Sequence, residues 1–213
     1  MGKLILALDC SLRWTNVAVF RGGGALISER RDIGRRQAAE LPLIVKDALS
    51  AAGCSFGQVD LLAVTNGPGY FTGIRVGVSY AAALAYGLGV KVAPVSALHM
   101  LASRRMEQTP QLVVVYAGQE RVYAASFGCE DALPAGEYKK CEIEKWLSAH
   151  EKRENVEVVS DDPGKIFLTG LGREVLQVHP DASDVARIAW RSPDTAVHPM
   201  ELKVYYHRNP FSL

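Results

Sequence analysis

The sequence holds none of the compact motifs that announce metal or covalent chemistry. Its five histidines, His99, His150, His179, His198 and His207, form neither an HxxxH nor an HExxH spacing. That argues against a visible catalytic metal site. No GxSxG elbow is present. Cys10 and Ser11 follow an apolar run beside Asp9, but no histidine is placed to activate them as nucleophiles. A Walker A lysine and a GxGxxG fingerprint are both missing. The four cysteines, Cys10, Cys54, Cys129 and Cys141, have no CxxC or other ligand spacing, and read as reduced thiols of a cytosolic protein. There is little charge excess of either sign: 24 Lys and Arg stand against 23 Asp and Glu. A general nucleic-acid or membrane signature is thereby excluded, so any RNA contact needs a local patch or a partner. Long apolar runs are also lacking. Leu4–Leu8 is cut by Asp9, too short for a signal peptide, no segment reaches the length of a membrane span, and Leu6 breaks a myristoylation motif.

What is there is an ordinary globular composition, 48% hydrophobic and 22% charged, with enough chain to bury a sizeable core. Leu4–Leu8 reads as a buried strand. Thr15–Phe20 and Ala25–Arg31 read as two more, joined by Arg21-Gly22-Gly23-Gly24 in an antiparallel meander. Arg35–Ala52 reads as a helix, with Leu41, Ile44, Val45, Ala48, Leu49 and Ala52 on one face. Pro42 either kinks it or moves its regular start to about Leu41. Val59–Thr65 and Val90–Val95 read as strands parallel to the first, separated by a second helix. Ser96 caps a short helix to about Arg104.

After a boundary near Gln108–Pro110 the opening pattern repeats more weakly. Gln111–Tyr116 and Arg121–Phe127 read as paired strands about the turn Ala117-Gly118-Gln119-Glu120. Glu142–Ala149 reads as a helix, Val156–Val159 and Lys165–Phe167 as short strands, and Arg173–Gln177 as a short helix. Asp181 or Ser183 caps a last helix to about Arg191.

The stretch Asn66–Ala85 organises the chain. Gly67-Pro68-Gly69 makes a turn and Thr72 is placed to cap the helix that follows. Gly73, Gly77, Ala81 and Ala85 fall four residues apart, forming a stripe with almost no side chain. Two interior glycines cost roughly 1 kcal/mol each relative to alanine, so another backbone is expected to come close. That backbone belongs either to the protein's own sheet or to a partner. Ile74, Val78, Leu84 and Leu88 add apolar bulk beside the stripe.

Three turns are candidates for holding an anion: Asp9-Cys10-Ser11, Gly67-Pro68-Gly69 with Thr72 at a helix start, and Gly170-Leu171-Gly172. Each alone is weak, and ordinary structural turns are the favoured reading. The basic run Arg30, Arg31, Arg35 and Arg36 is a further candidate for phosphates or an acidic partner, although such runs more often form a solvated face.

GPGYFTGIRVGVSYAAALA resembles the signature of the TsaB (YeaZ) family, with Tyr70 where serine is usual. The opening ILALDCS resembles that family's ILAIDTS, and Val95-Ser96-Ala97-Leu98 its VSSLEAL segment. The tail around Lys203–Arg208 is similar to its closing Pro-x-Tyr-x-Arg pattern. Two departures stand out: Tyr116-Ala117-Gly118 replaces the usual Asp-Ala-Arg, and Gln37 replaces a frequent histidine.

The resemblance implies an α/β actin-like (ASKHA) fold of two ribonuclease-H-like halves. Residues 1–108 are expected to carry a mixed five-stranded sheet, and 109–213 a reduced second half. It further implies a cytoplasmic subunit, not an enzyme on its own, with no cofactor and no membrane contact. Such a chain supports the TsaD catalytic subunit, which makes N6-threonylcarbamoyladenosine (t6A) at position 37 of tRNA. A TsaE-type ATPase joins them, the chain forms a homodimer when alone, and tRNA is met through the complex. The implied interface lies on the two N-terminal helices, at Leu41, Ile44, Val45, Ala48, Gly73, Ile74, Gly77, Val78, Ala81 and Ala85. Asp9, Ser11, Gly67, Gly69, Thr72, Gly170 and Gly172 are then remnants of a nucleotide cleft. The competing reading is a small phosphotransferase or a peptidase-like enzyme.

Overall fold

The computed structural model describes residues 2–103, 109–118, 121–150, 155–167, 170–172 and 174–205. Two apolar strands and a more polar, exposed third form the antiparallel meander β1 (Leu4–Asp9), β2 (Thr15–Arg21) and β3 (Gly24–Arg31). Helix α1 (Gln37–Ala51) leads to β4 (Leu61–Gly67), and α2 (Phe71–Leu88) leads to β5 (Lys91–Ser96). β4 lies parallel to β1 and β5 parallel to β4, giving the order β3-β2-β1-β4-β5. Every residue of β1 is buried, because both faces of this sheet are covered. On one face Leu4, Leu6, Leu8, Val17, Val19, Leu62 and Val64 pack against α1 and α2.

The chain then forms α3 (Ala97–Ala102), β6 (Gln111–Gly118), β7 (Arg121–Phe127), β8 (Gly136–Lys139), α4 (Lys140–His150), β9 (Glu157–Ser160), α5 (Pro163–Phe167) and β10 (Leu176–Gln177). The second sheet has the order β10-β9-β6-β7-β8. Leu112, Val114, Val122 and Ala124 pack there with Ile143, Leu147 and Ile166. Helix α6 (Ala182–Arg191) follows, with the Asp181 side chain accepting from the Ser183 N–H.

The division of the chain differs from the expected boundary at 108/109. One compact unit is Met1–Met100 with Pro180–Tyr205; the other holds Leu101–His179. The reason lies in α6. Its buried Ala182, Val185, Ala186 and Ala189 pack on β1 and β2, on the face opposite α1 and α2, so the last helix completes the first sheet. The second sheet is not reduced in strand number either. It has five strands like the first, and the reduction is in length, with β8 four residues and β10 two.

Local expectations were altered at several places. α1 runs through Pro42 from Gln37, after a tighter turn at Gly34–Arg36. Lys165–Phe167 lies in a helix rather than a strand, because the Asp162 carboxylate accepts from the Lys165 N–H and starts a helical turn. Leu176–Gln177 is a strand paired with β9, not the end of a helix. The β8 strand was not expected. Arg104, Gln108, Gln119, Glu120, Arg173 and the tail from Tyr206, including Arg208, lie outside the described residues. Among those described, no helix is long and apolar enough to cross a membrane.

Candidate functional site

Three apolar strands end in polar residues at the same edge of the first sheet. Asp9 closes β1, opposite Asn16 at the start of β2, and Thr65 lies near the end of the neighbouring β4. All three and Ser11 are buried. The Ser11 N–H and Oγ donate to Asp9 Oδ1 at 2.9 and 2.6 Å, and Thr65 Oγ1 donates to the same oxygen at 2.6 Å. Asn16 Nδ2 donates to Oδ2 at 2.9 Å. A buried carboxylate is tolerable only when its oxygens are satisfied in this way. Asp9 thus ties together the ends of β1, β2 and β4.

The start of α2 closes directly over this cluster. The Tyr70 N–H donates to the Ser11 carbonyl at 2.6 Å. A Cβ on Gly69 would overlap that same carbonyl, and one on Gly73 would overlap the carbonyl of Cys10. A Cβ on Gly77 would come within 3.3 Å of Cys10 Cβ. Gly69, Gly73 and Gly77 are small so that the turn and the helix can seat on the loop at Cys10 and Ser11. Burial, reinforced by the neighbouring Asp9 carboxylate, pushes the Cys10 thiol well above its ordinary range, so it stays protonated and unreactive.

Two candidate residues sit elsewhere than expected. Thr72 is exposed and lies inside the helix, whose N-cap is Tyr70 without a side-chain capping bond. Gly170 and Gly172 belong to the second unit, where Gly170 (φ +76°) turns against Lys140. Asp9, Ser11, Gly67 and Gly69 are brought together. What they form is a sealed junction: the polar groups are turned inward and the helix start rests on protein atoms.

The interface residues also require correction. Leu41, Ile44, Val45 and Ala48 of α1, and Gly73, Ile74, Gly77, Val78, Ala81 and Ala85 of α2, are all buried within the first unit. The small-residue stripe packs on the chain's own sheet and loop. The faces that α1 and α2 turn to solvent are different: Ala39, Pro42, Leu43 and Lys46 on α1, and Ser79, Ala83 and Tyr86 on α2. Leu43 is 61% exposed and Tyr86 67%. Sequence reasoning missed Asn16 and Thr65 as partners of Asp9. The available signal was a polar residue at the matching end of each apolar strand. Among the described residues no group of three or more acidic, histidine or cysteine side chains is placed to hold a metal.

A family profile described as TsaD, tRNA N6-adenosine threonylcarbamoyltransferase, matches residues 31–203. Over 160 residues the chain is 27% identical to the tRNA threonylcarbamoyladenosine biosynthesis protein TsaB of Buchnera aphidicola, covering 73% of this chain and 72% of that protein. It is 33% identical over 127 residues to the tRNA N6-adenosine threonylcarbamoyltransferase of Geotalea uraniireducens, covering 57% of this chain but only 36% of that protein. Among solved structures, a Pseudomonas aeruginosa protein described as similar to peptidase YeaZ aligns with a TM-score of 0.82 and 25% identity, over 97% of this chain and all of that one. The ethanolamine utilization protein EutJ of Carboxydothermus hydrogenoformans aligns with a TM-score of 0.51 at 12% identity, over 88% of this chain and 89% of that one. It shares the fold alone.

Proposed function

The chain belongs to the TsaD family, within its TsaB (YeaZ) branch, and on that premise we propose that it is a non-catalytic supporting subunit in t6A biosynthesis. It has the actin-like fold and takes part in making the threonylcarbamoyladenosine of tRNA. In the proposed role it pairs with a TsaD-type catalytic subunit in the cytoplasm, is joined by a TsaE-type ATPase, and forms a homodimer when alone.

The observation that carries the non-catalytic reading is the sealed junction at Asp9. An actin-like kinase needs a carboxylate and a helix start open to phosphate. Here Asp9 accepts four hydrogen bonds from the protein itself, and the turn before α2 is seated on the Ser11 carbonyl. In this proposal the pairing uses the outward faces of α1 and α2, because the inward faces are buried within the first unit. Leu43, Ala83 and Tyr86 supply apolar area there, which favours a protein partner over water.

Light scattering after size exclusion tests the pairing, with the chain alone and mixed with the TsaD-type subunit of the same source. We expect a homodimer that converts to a one-to-one heterodimer. Leu43→Arg and Ala83→Arg, both on exposed positions, are expected to weaken association at least about tenfold, or 1.4 kcal/mol, without lowering the melting temperature. Normal assembly by both variants means that this surface is not the interface.

A further inference from the structure

The exposed rim around the sealed junction has its own chemistry. It is built by the Cys10–Thr15 loop, the end of β3 and the starts of α1 and α2. These are contiguous: Gln37 Nε2 donates to Thr15 Oγ1 at 3.0 Å, Gln37 Oε1 lies beside Gly73, and Arg30 faces Asn16 across the β2–β3 pair.

Among the described residues, six arginines lie on this rim, at positions 13, 30, 31, 35, 36 and 75, with three carboxylates, Glu29, Asp32 and Glu40. The rim therefore has an excess of three positive charges in a chain whose total excess is one. The three carboxylates pair with Arg31, Arg13 and Arg36. Arg30 and Arg35 have no carboxylate partner among the described residues. Arg35 and Arg36 also stand at the start of α1, the end where the helix dipole disfavours cations. An anion from outside would relieve that arrangement.

Guanidinium groups on the rim lie over aromatic rings within cation–π reach. The Arg13 and Arg30 guanidinium carbons lie 5.4 and 5.1 Å from the centre of the Trp14 ring. That of Arg75 lies 3.7 Å from the centre of the Phe71 ring. Such contacts favour an ordered guanidinium, most closely at Arg75. Planar cations and aromatics interleaved along a positive edge suit unpaired bases stacked between phosphates.

We propose that this rim binds RNA through its phosphates and through stacking of unpaired bases. The choice of RNA over another polyanion rests on the function proposed above; the charge excess and the cation–π pairs do not.

Fluorescence anisotropy of the full chain with a labelled RNA hairpin tests it, with heparin as a competing polyanion. The folded state of each variant is checked by circular dichroism melting. Arg30→Glu with Arg35→Glu is expected to weaken hairpin binding at least about tenfold and to flatten its dependence on salt. Phe71→Ala is expected to weaken it about fivefold or more with the salt dependence unchanged, while heparin binding stays as it was. If the wild type does not bind the hairpin, or the charge-reversed variant binds it equally well, the proposal is overturned. If charge reversal weakens hairpin and heparin alike and Phe71→Ala weakens neither, the rim takes polyanions by charge alone, and the proposal of base stacking is overturned. The assay contains no second subunit and the mass measurement above contains no RNA, so failure of one leaves the other standing.

Discussion

Gly73 and Gly77 sit one turn apart on α2, yet a single added methyl group meets different atoms at each. At Gly73 it runs into the Cys10 carbonyl, which is backbone and cannot turn away. At Gly77 it meets the Cys10 side chain at 3.3 and 3.5 Å, a contact relieved by a shift of a few tenths of an ångström. Replacing a helical glycine by alanine gains roughly 1 kcal/mol in propensity, and overpacking a core costs about 1–3 kcal/mol. Gly77→Ala is therefore expected to be nearly neutral in urea unfolding, and Gly73→Ala to lose about 2 kcal/mol. Equal losses at the two sites would mean that α2 does not seat on the loop as described. His99 gives a second expectation at this scale. Burial lowers its pKa below the ordinary 6.5, so the folded state favours the neutral ring. The associated stability is present above the unfolded value and lost as pH falls through the folded one. The melting temperature is expected to drop as pH falls below about 6.5, and His99→Gln, which cannot titrate, is expected to show a shallower drop.

Among the elements, α6 does most to set the limits of the first unit. Asp181 caps it, accepting from the Ser183 N–H at 2.8 Å and from Ser28 Oγ at 2.5 Å. Asp181→Ala is expected to destabilise the protein by about 1 kcal/mol or somewhat more, since loss of a cap alone costs that much. Urea unfolding followed by tryptophan fluorescence checks it, because Trp190 lies on the same helix near Phe20. The helix itself was legible in the sequence, with Asp181 as one of two candidate caps. Its destination was not, because a helix's pattern tells which face is apolar and not which sheet the face meets. The meander, α1 and α2 were legible for the opposite reason: each packs on its neighbours in sequence, and the apolar period carries the information. β8 was invisible because it is a short edge strand with only partly buried residues, paired to β7 alone. α5 was misread because three apolar or long residues fit either period, and a side-chain bond from Asp162 decided between them.

For the whole molecule, the stripe on α2 marks the limit of reading a site from spacing. Small residues announced the close approach of a backbone, and that approach exists, but the backbone is the chain's own loop at Cys10 and Ser11. Spacing cannot tell an internal neighbour from an external one. The Asp9 cluster was half legible, through Asp9 and Ser11 at the end of an apolar run; Asn16 and Thr65 joined it only through strand register. The return of α6 has a consequence for how the protein is made. Residues 101–179 are synthesised between the first sheet and the helix that covers its second face. On a ribosome adding about 5–20 residues per second, Ile5, Ala7, Ala18 and Phe20 wait several seconds without that cover, while the later unit can already fold. The half of the protein that is translated first is thus the half that is finished last, and chaperone demand is expected to concentrate in that interval.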